Sequence, residues 1–145
     1  DDLIHDDAST LQAEVVAKAF RGAEFLYTLR LPSGARALSL AEVEQLVADF
    51  IAAALRAERA GFDGVEIHGA HGYVISQFLS PEINRRTDRY GGSPENRARL
   101  LLEIVQGVRS GCRAGFVLGV RLSPERFGLK LDEIRDVARQ LLLGG

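Results

Sequence analysis

One cysteine and no methionine occur among the 145 residues. Cys112 alone cannot close an internal disulfide, and no Cys/His cluster surrounds it, which argues against a structural zinc site. A reducing, cytoplasmic setting is the expectation that follows. No apolar run approaches the ~20 residues that cross a bilayer, so no membrane partner is expected. No charged, then apolar, then small-residue leader opens the chain, which argues against a secretory signal. An excess of one charge is missing too. Eighteen Lys and Arg stand against 20 Asp and Glu, for a formal net charge of -2 and no support for nucleic-acid binding. The phosphate-loop pattern Gly-x-x-x-x-Gly-Lys-Ser/Thr is absent, so ATP hydrolysis is not available. There is no internal repeat and no low-complexity stretch. Without methionine at position 1, Asp1-Asp2-Leu3-Ile4 reads like the middle of coding sequence. The expectation is an excised or processed piece of a longer protein, or an artificial chain.

What is present suffices for a core: 46% of the residues are hydrophobic, over a length typical of one domain. Residues 1–9 are polar and acidic and are expected to fray. Strand character begins near Ala13, with Glu14 to Phe20 followed by Arg21-Gly22 and then Glu24 to Leu31. In the second run Phe25, Tyr27, Leu29 and Leu31 alternate with Leu26, Thr28 and Arg30, the period of a strand. A hairpin turn is expected around Gly22, and Pro32-Ser33-Gly34 should end the second strand. The period then changes. Ser39 and Glu42 form a capping-box signature, and Leu40, Val43, Leu46, Val47, Phe50, Ile51 and Ala54 recur at helical spacing. That helix should run to about Ala60 and stop at Gly61. Gly64 to His68 reads as a short strand, Tyr73 to Leu79 as a short helix, and Ser80 to Gly92 as a polar loop. Ser93-Pro94-Glu95 starts a helix with Leu100, Leu101, Ile104, Val105 and Val108 as its buried stripe. A strand over Phe116–Leu122 and a helix over Leu131–Leu142 follow, the latter weakly started because Lys130 cannot cap. Strands alternating with helices imply parallel strands joined by right-handed crossovers, an α/β class preceded by an N-terminal β-hairpin.

In parallel α/β folds the strand C-termini open into loops that hold ligands. One strand here ends Glu66-Ile67-His68-Gly69-Ala70-His71-Gly72-Tyr73, the other Val120-Arg121-Leu122-Ser123-Pro124. Two histidines three apart can act as paired donors to a carbonyl oxygen or an oxyanion. Tyr73 can supply a proton from the other side, and Gly69 and Gly72 let backbone approach a planar ligand. Plainer readings stand beside these. His68 and His71 could belong to a zinc site, although no third ligand is evident. His68 could be a hydrogen-bonded strand end, Tyr73 a core aromatic, and Arg121 an ion-pair partner of Glu66 on the adjacent strand. The arginines at 85, 86, 89, 97 and 99 lie among Asp88, Glu95 and Glu103 and read as a solvated, ion-paired face.

Over residues 61–124 the sequence resembles the Old Yellow Enzyme (NADH:flavin oxidoreductase) family. The matching residues are Gly61 to Tyr73, Gln77-Phe78-Leu79-Ser80-Pro81, Asn84 to Ser93, Glu95-Asn96-Arg97 and Val120-Arg121-Leu122-Ser123. The resemblance implies a (β/α)₈ (TIM) barrel with FMN at its C-terminal face. It implies that His68 and His71 hydrogen-bond the activating carbonyl or nitro group and that Tyr73 delivers a proton to the α-carbon. Reduced FMN, recharged by NAD(P)H, would pass hydride to the β-carbon of an activated alkene. Arg121 would bind the cofactor at the flavin pyrimidine edge, and the Asn84–Ser93 loop would be ion-paired scaffold. A complete barrel needs ~250 residues. Residues 38–145 would therefore be a partial barrel of two parallel βα units. The family's early strands and its phosphate-binding segment would lie outside this chain, leaving FMN binding by this chain alone in doubt. Open strand edges would favour self-association as a homodimer or higher oligomer.

Residues 12–34 resemble part of the OB-like accessory domain of ABC-transporter ATPases. This divides the chain into a hairpin segment, 1–37, and a barrel segment, 38–145. Two alternatives to an oxidoreductase fragment follow. One is a chimeric domain without catalytic activity, the other a binding module derived from the accessory domain.

Overall fold

In the computed structural model the described residues are 14–21, 24–30 and 37–143. Residues 1–37 and 38–145 form separate compact units. In the first, strand β1 (Glu14–Arg21) pairs antiparallel with β2 (Glu24–Arg30). The ladder runs from Glu14 opposite Arg30 to Arg21 opposite Glu24, with a bulge between Val15 and Ala17. The turn expected at Gly22, the extension to Leu31 and the stop at Pro32–Gly34 lie outside the described residues.

The second unit holds α1 (Leu40–Arg59), β3 (Gly64–Gly69), α2 (Val74–Leu79), α3 (Pro94–Gly111), β4 (Val117–Leu122) and α4 (Leu131–Leu143). Local signals explain most boundaries. Ser39 Oγ accepts from the Glu42 amide at 3.3 Å, while the Ser39 amide donates to Glu42 Oε2 at 2.7 Å, closing the capping box. Gly61, at φ 90°, follows the last turn of α1. Ser93 Oγ accepts from the Asn96 amide and Pro94 occupies the first turn of α3. Lys130 offers no side-chain cap to α4, whose first turn closes through its carbonyl oxygen, accepting from the Ile134 amide at 3.0 Å.

β3 and β4 pair in parallel, Gly64 opposite Val117 through Gly69 opposite Leu122. Side chains alternate across a strand, so this register sorts the residues. Val65 and Ile67 share one face with Leu118, Val120 and Leu122, and these pack with the apolar stripes of α1 and α3. Val43, Ile75, Leu100, Leu101, Ile104 and Val108 are fully or almost fully buried in that core. The opposite face carries Glu66, His68, Gly119 and Arg121. One face thus holds the fold together and leaves the other to polar groups.

The loop from Ser80 to Gly92 is built around buried polar anchors. Asn84 Nδ2 donates to the carbonyls of Phe78 at 2.7 Å and Tyr90 at 2.8 Å, pinning both ends of the loop. Tyr90 is fully buried, and its hydroxyl donates to Glu103 Oε2 at 2.7 Å. Burial and the neighbouring Glu103 carboxylate push its pKa above the ordinary phenol range. Arg86 pairs with Asp88, and Arg89 with Glu44. Arg86, Arg89 and Arg97 are ion-paired as expected, whereas Arg99 donates to the Arg89 carbonyl and to Asn96 Oδ1, and not all of them are solvated. Arg97 is buried and donates to the Leu79 and Gly92 carbonyls and to Glu133 on α4. Three acceptors from three segments offset the desolvation of its charge.

Candidate active site at the end of β3

His68 is the next-to-last residue of β3, half-buried on the polar face of the sheet. Beyond Gly69 and Ala70 the chain turns sharply. His71 has φ 60° and Gly72 has φ 78°. The left-handed backbone costs little at glycine but is uncommon at histidine. The turn brings three rings together. The His68 and His71 ring centroids lie 5.0 Å apart at 58°, and those of His68 and Tyr73 lie 5.4 Å apart at 50°. His68 thus neighbours both of the other rings. Tyr73 precedes α2 as its cap residue and is 60% exposed, which removes the reading of it as a core aromatic.

Arg121 stands directly across from His68 in the β3–β4 register. Its Nε donates to Glu66 Oε1 at 2.7 Å, with both side chains about half exposed. The cross-strand ion pair is therefore real, and it holds the guanidinium against Glu66 on the sheet face that also carries His68. The donor set suits an electron-rich planar edge: two imidazoles, a phenol and a guanidinium around one strand end. Among the described residues no group of three His, Cys, Asp or Glu side chains is arranged to hold a metal ion.

Three residues of this neighbourhood carry no role in the sequence reading. Gln77 Nε2 donates to the Gly72 carbonyl at 2.7 Å, and Ser123 Oγ accepts the His71 amide at 3.0 Å. The Phe127 ring crowds Gly72, where a Cβ would lie 2.9 Å from its Cδ1. Ser123 and Gln77 lie in matched motif runs. For Phe127 no sequence signal existed.

The NADH:flavin oxidoreductase / NADH oxidase family model matches residues 7–143. The chain belongs to this family. Membership implies FMN as cofactor, and the Arg121 guanidinium on the open face of the β3–β4 pair is a cationic donor of the kind a flavin pyrimidine edge accepts. An NADH oxidase from Thermoanaerobacter brockii is 43% identical over 109 residues, covering 73% of this chain and 17% of the relative. Old Yellow Enzyme from Pichia sp. superposes with a TM-score of 0.58 at 49% identity, covering 61% of this chain and 23% of that one. A morphinone reductase variant in complex with tetrahydroNAD gives a TM-score of 0.65 at 46% identity, over 80% of this chain and 32% of that one. The α/β unit with its two parallel strands is accordingly part of an Old Yellow Enzyme-type barrel, and the chain spans less than a third of each of these relatives. The family match runs through residues 12–34, so the likeness of that stretch to a transporter accessory domain has no support. The chimeric and transporter-derived readings lose their basis with it.

Proposed function

We propose that this chain carries the proton-donor and carbonyl-binding part of an FMN-dependent, NAD(P)H-driven ene-reductase. The observation that carries the reading is the convergence of His68, His71 and Tyr73 at the end of one barrel strand, with ring centroids 5.0 and 5.4 Å from His68. His68 and His71 donate hydrogen bonds to the carbonyl or nitro oxygen of an activated alkene, drawing electron density from the double bond. Tyr73 gives its hydroxyl proton to the α-carbon, and its exposure lets solvent restore that proton. FMN, when bound and reduced by NAD(P)H, would supply the hydride that the β-carbon takes. Arg121 would hold the flavin at its pyrimidine edge, where a fixed positive charge favours the negative charge that the ring gains on reduction. Glu66 orients Arg121 through the 2.7 Å bond.

Residues 38–145 act as the barrel segment and residues 1–37 as the hairpin segment before it, a division supported by their separate compactness. A reducing, cytoplasmic setting fits the unpaired Cys112. Both outer edges of the β3–β4 pair lack a strand partner among the described residues, and Val117 is 66% exposed. This supports self-association. A flavin titration with mass measurement in one buffer tests cofactor and assembly together. Quenching of FMN fluorescence and a mass above one chain are expected. Unquenched flavin would sink catalysis by this chain alone, and a monomer at high concentration would sink the assembly.

A further inference from the structure

The loop between β4 and α4 meets the His71-Gly72 turn at two points. Ser123, buried one residue past β4, accepts the His71 amide hydrogen at 3.0 Å. Phe127 lays its ring against Gly72 so closely that a Cβ there would lie 2.9 Å from Cδ1 and 3.3 Å from Cε1. The loop has its own foothold on the far side. At Gly128 a Cβ would lie 2.6 Å from Ser80 Oγ and 2.7 Å from Glu82 Cβ.

Backbone conformation shows that these contacts constrain. His71 and Phe127 are the non-glycine residues at positive φ among those described, 60° and 65°. A bulky aromatic there is an outlier that persists only where its surroundings over-determine it. The two outliers belong to different loops, and they meet through Gly72. An exposed histidine on a turn would otherwise relax to negative φ and carry its imidazole away from His68.

We infer that the β4–α4 loop positions His71, with Ser123 and Phe127 as positioning residues for the histidine pair. The inference rests on the reading of His68 and His71 as donors to a substrate oxygen. Two donors serve one oxygen only when both are held within a fraction of an ångström of the productive geometry. Ser123 holds the His71 amide, which fixes the turn, and Phe127 limits how far the turn can shift. Ser123 follows Arg121 by two residues, so one strand end sets both the guanidinium and the second imidazole.

The test uses NMR on the 145-residue chain, whose three histidines keep the imidazole spectrum simple. Ser123→Ala should speed exchange of the His71 amide about two- to tenfold and weaken the ring-to-ring NOE between His68 and His71. Ser123→Thr, which keeps a hydroxyl acceptor, should restore both. Phe127→Gly relieves its own positive φ and removes the ring, and should weaken the same NOE. The amides of Leu100, Leu101 and Ile104 in α3 report whether the core is intact. If Ser123→Ala disturbs them, Phe127→Gly decides. Unchanged His71 exchange and NOE in variants with a protected core overturn the inference. The donor reading fails separately, if His71→Ala leaves flavin-linked reduction unaltered while the Ser123 effect on the amide stands.

Discussion

At the scale of single residues, the role proposed for Tyr73 separates chemistry from stability. Its ring is 60% exposed, so its hydroxyl contributes little to folding. Tyr73→Phe should leave the urea midpoint within about 0.5 kcal/mol of the parent chain. Alkene reduction in a flavin-loaded assembly should fall by roughly 10²-fold or more, as expected when a positioned acid is removed. A proton supplied to the α-carbon by solvent rather than by Tyr73 would leave that rate intact. Asp88 behaves in the opposite way, as scaffold. The bond from the Arg86 side chain holds its carboxyl below the ordinary carboxylate range, against a smaller opposing effect of burial. Its contribution to stability is present above the unfolded-state pKa and is lost as pH falls through the lower, folded value. Denaturant midpoints from pH 6 down to about pH 2 should show a steeper acid loss in the parent than in Asp88→Asn.

At the scale of elements, the Ser80–Gly92 loop and α4 are tied to α3 through Arg97. Its side chain is 6% exposed and reaches carbonyls of Leu79 and Gly92 as well as Glu133 of α4. Removing one partner of a buried pair strands the other. Glu133→Ala should therefore cost about 3–5 kcal/mol by urea denaturation. The exposed pair between Arg89 and Glu44 is far weaker, and Glu44→Ala should cost under about 1 kcal/mol. Equal costs at the two sites would mean that burial is not what distinguishes them. The same element logic places the candidate site. The β3–β4 register sends Val65, Ile67, Leu118 and Val120 into the helices and leaves Glu66, His68 and Arg121 together on the opposite face.

At the scale of the molecule, this opposite face and the strand edges are what a partial barrel leaves uncovered. Among the described residues, β3 and β4 form a two-stranded sheet with no third strand on either side. In a complete barrel such a face is filled by layers of side chains. Self-association through these edges should depend on concentration. A lysine on the exposed strand, Val117→Lys, should lower the mass seen by light scattering at equal concentration. Unchanged mass would place the contact elsewhere.

Much of this was written in local sequence. Ser39 with Glu42, Gly61, and Ser93 with Pro94 mark helix ends because capping is a short-range interaction, satisfied within four residues. Period-two and helical spacing found the strands and helices because burial on one face is also a local pattern. The run from His68 to Tyr73 and the Val120–Ser123 motif identified the family and pointed to the candidate site. Long-range contacts decided the rest. No local pattern could reveal that Arg97 is buried rather than solvated, because its acceptors come from 18 residues before it, five before it and 36 after it. The same holds for the Ser123 bond to His71, which spans 52 residues, and for the ring of Phe127 against Gly72. Sequence determined which groups this rim of the barrel carries. Tertiary structure decided how they are held, because a distance across two loops is set by the packing between them.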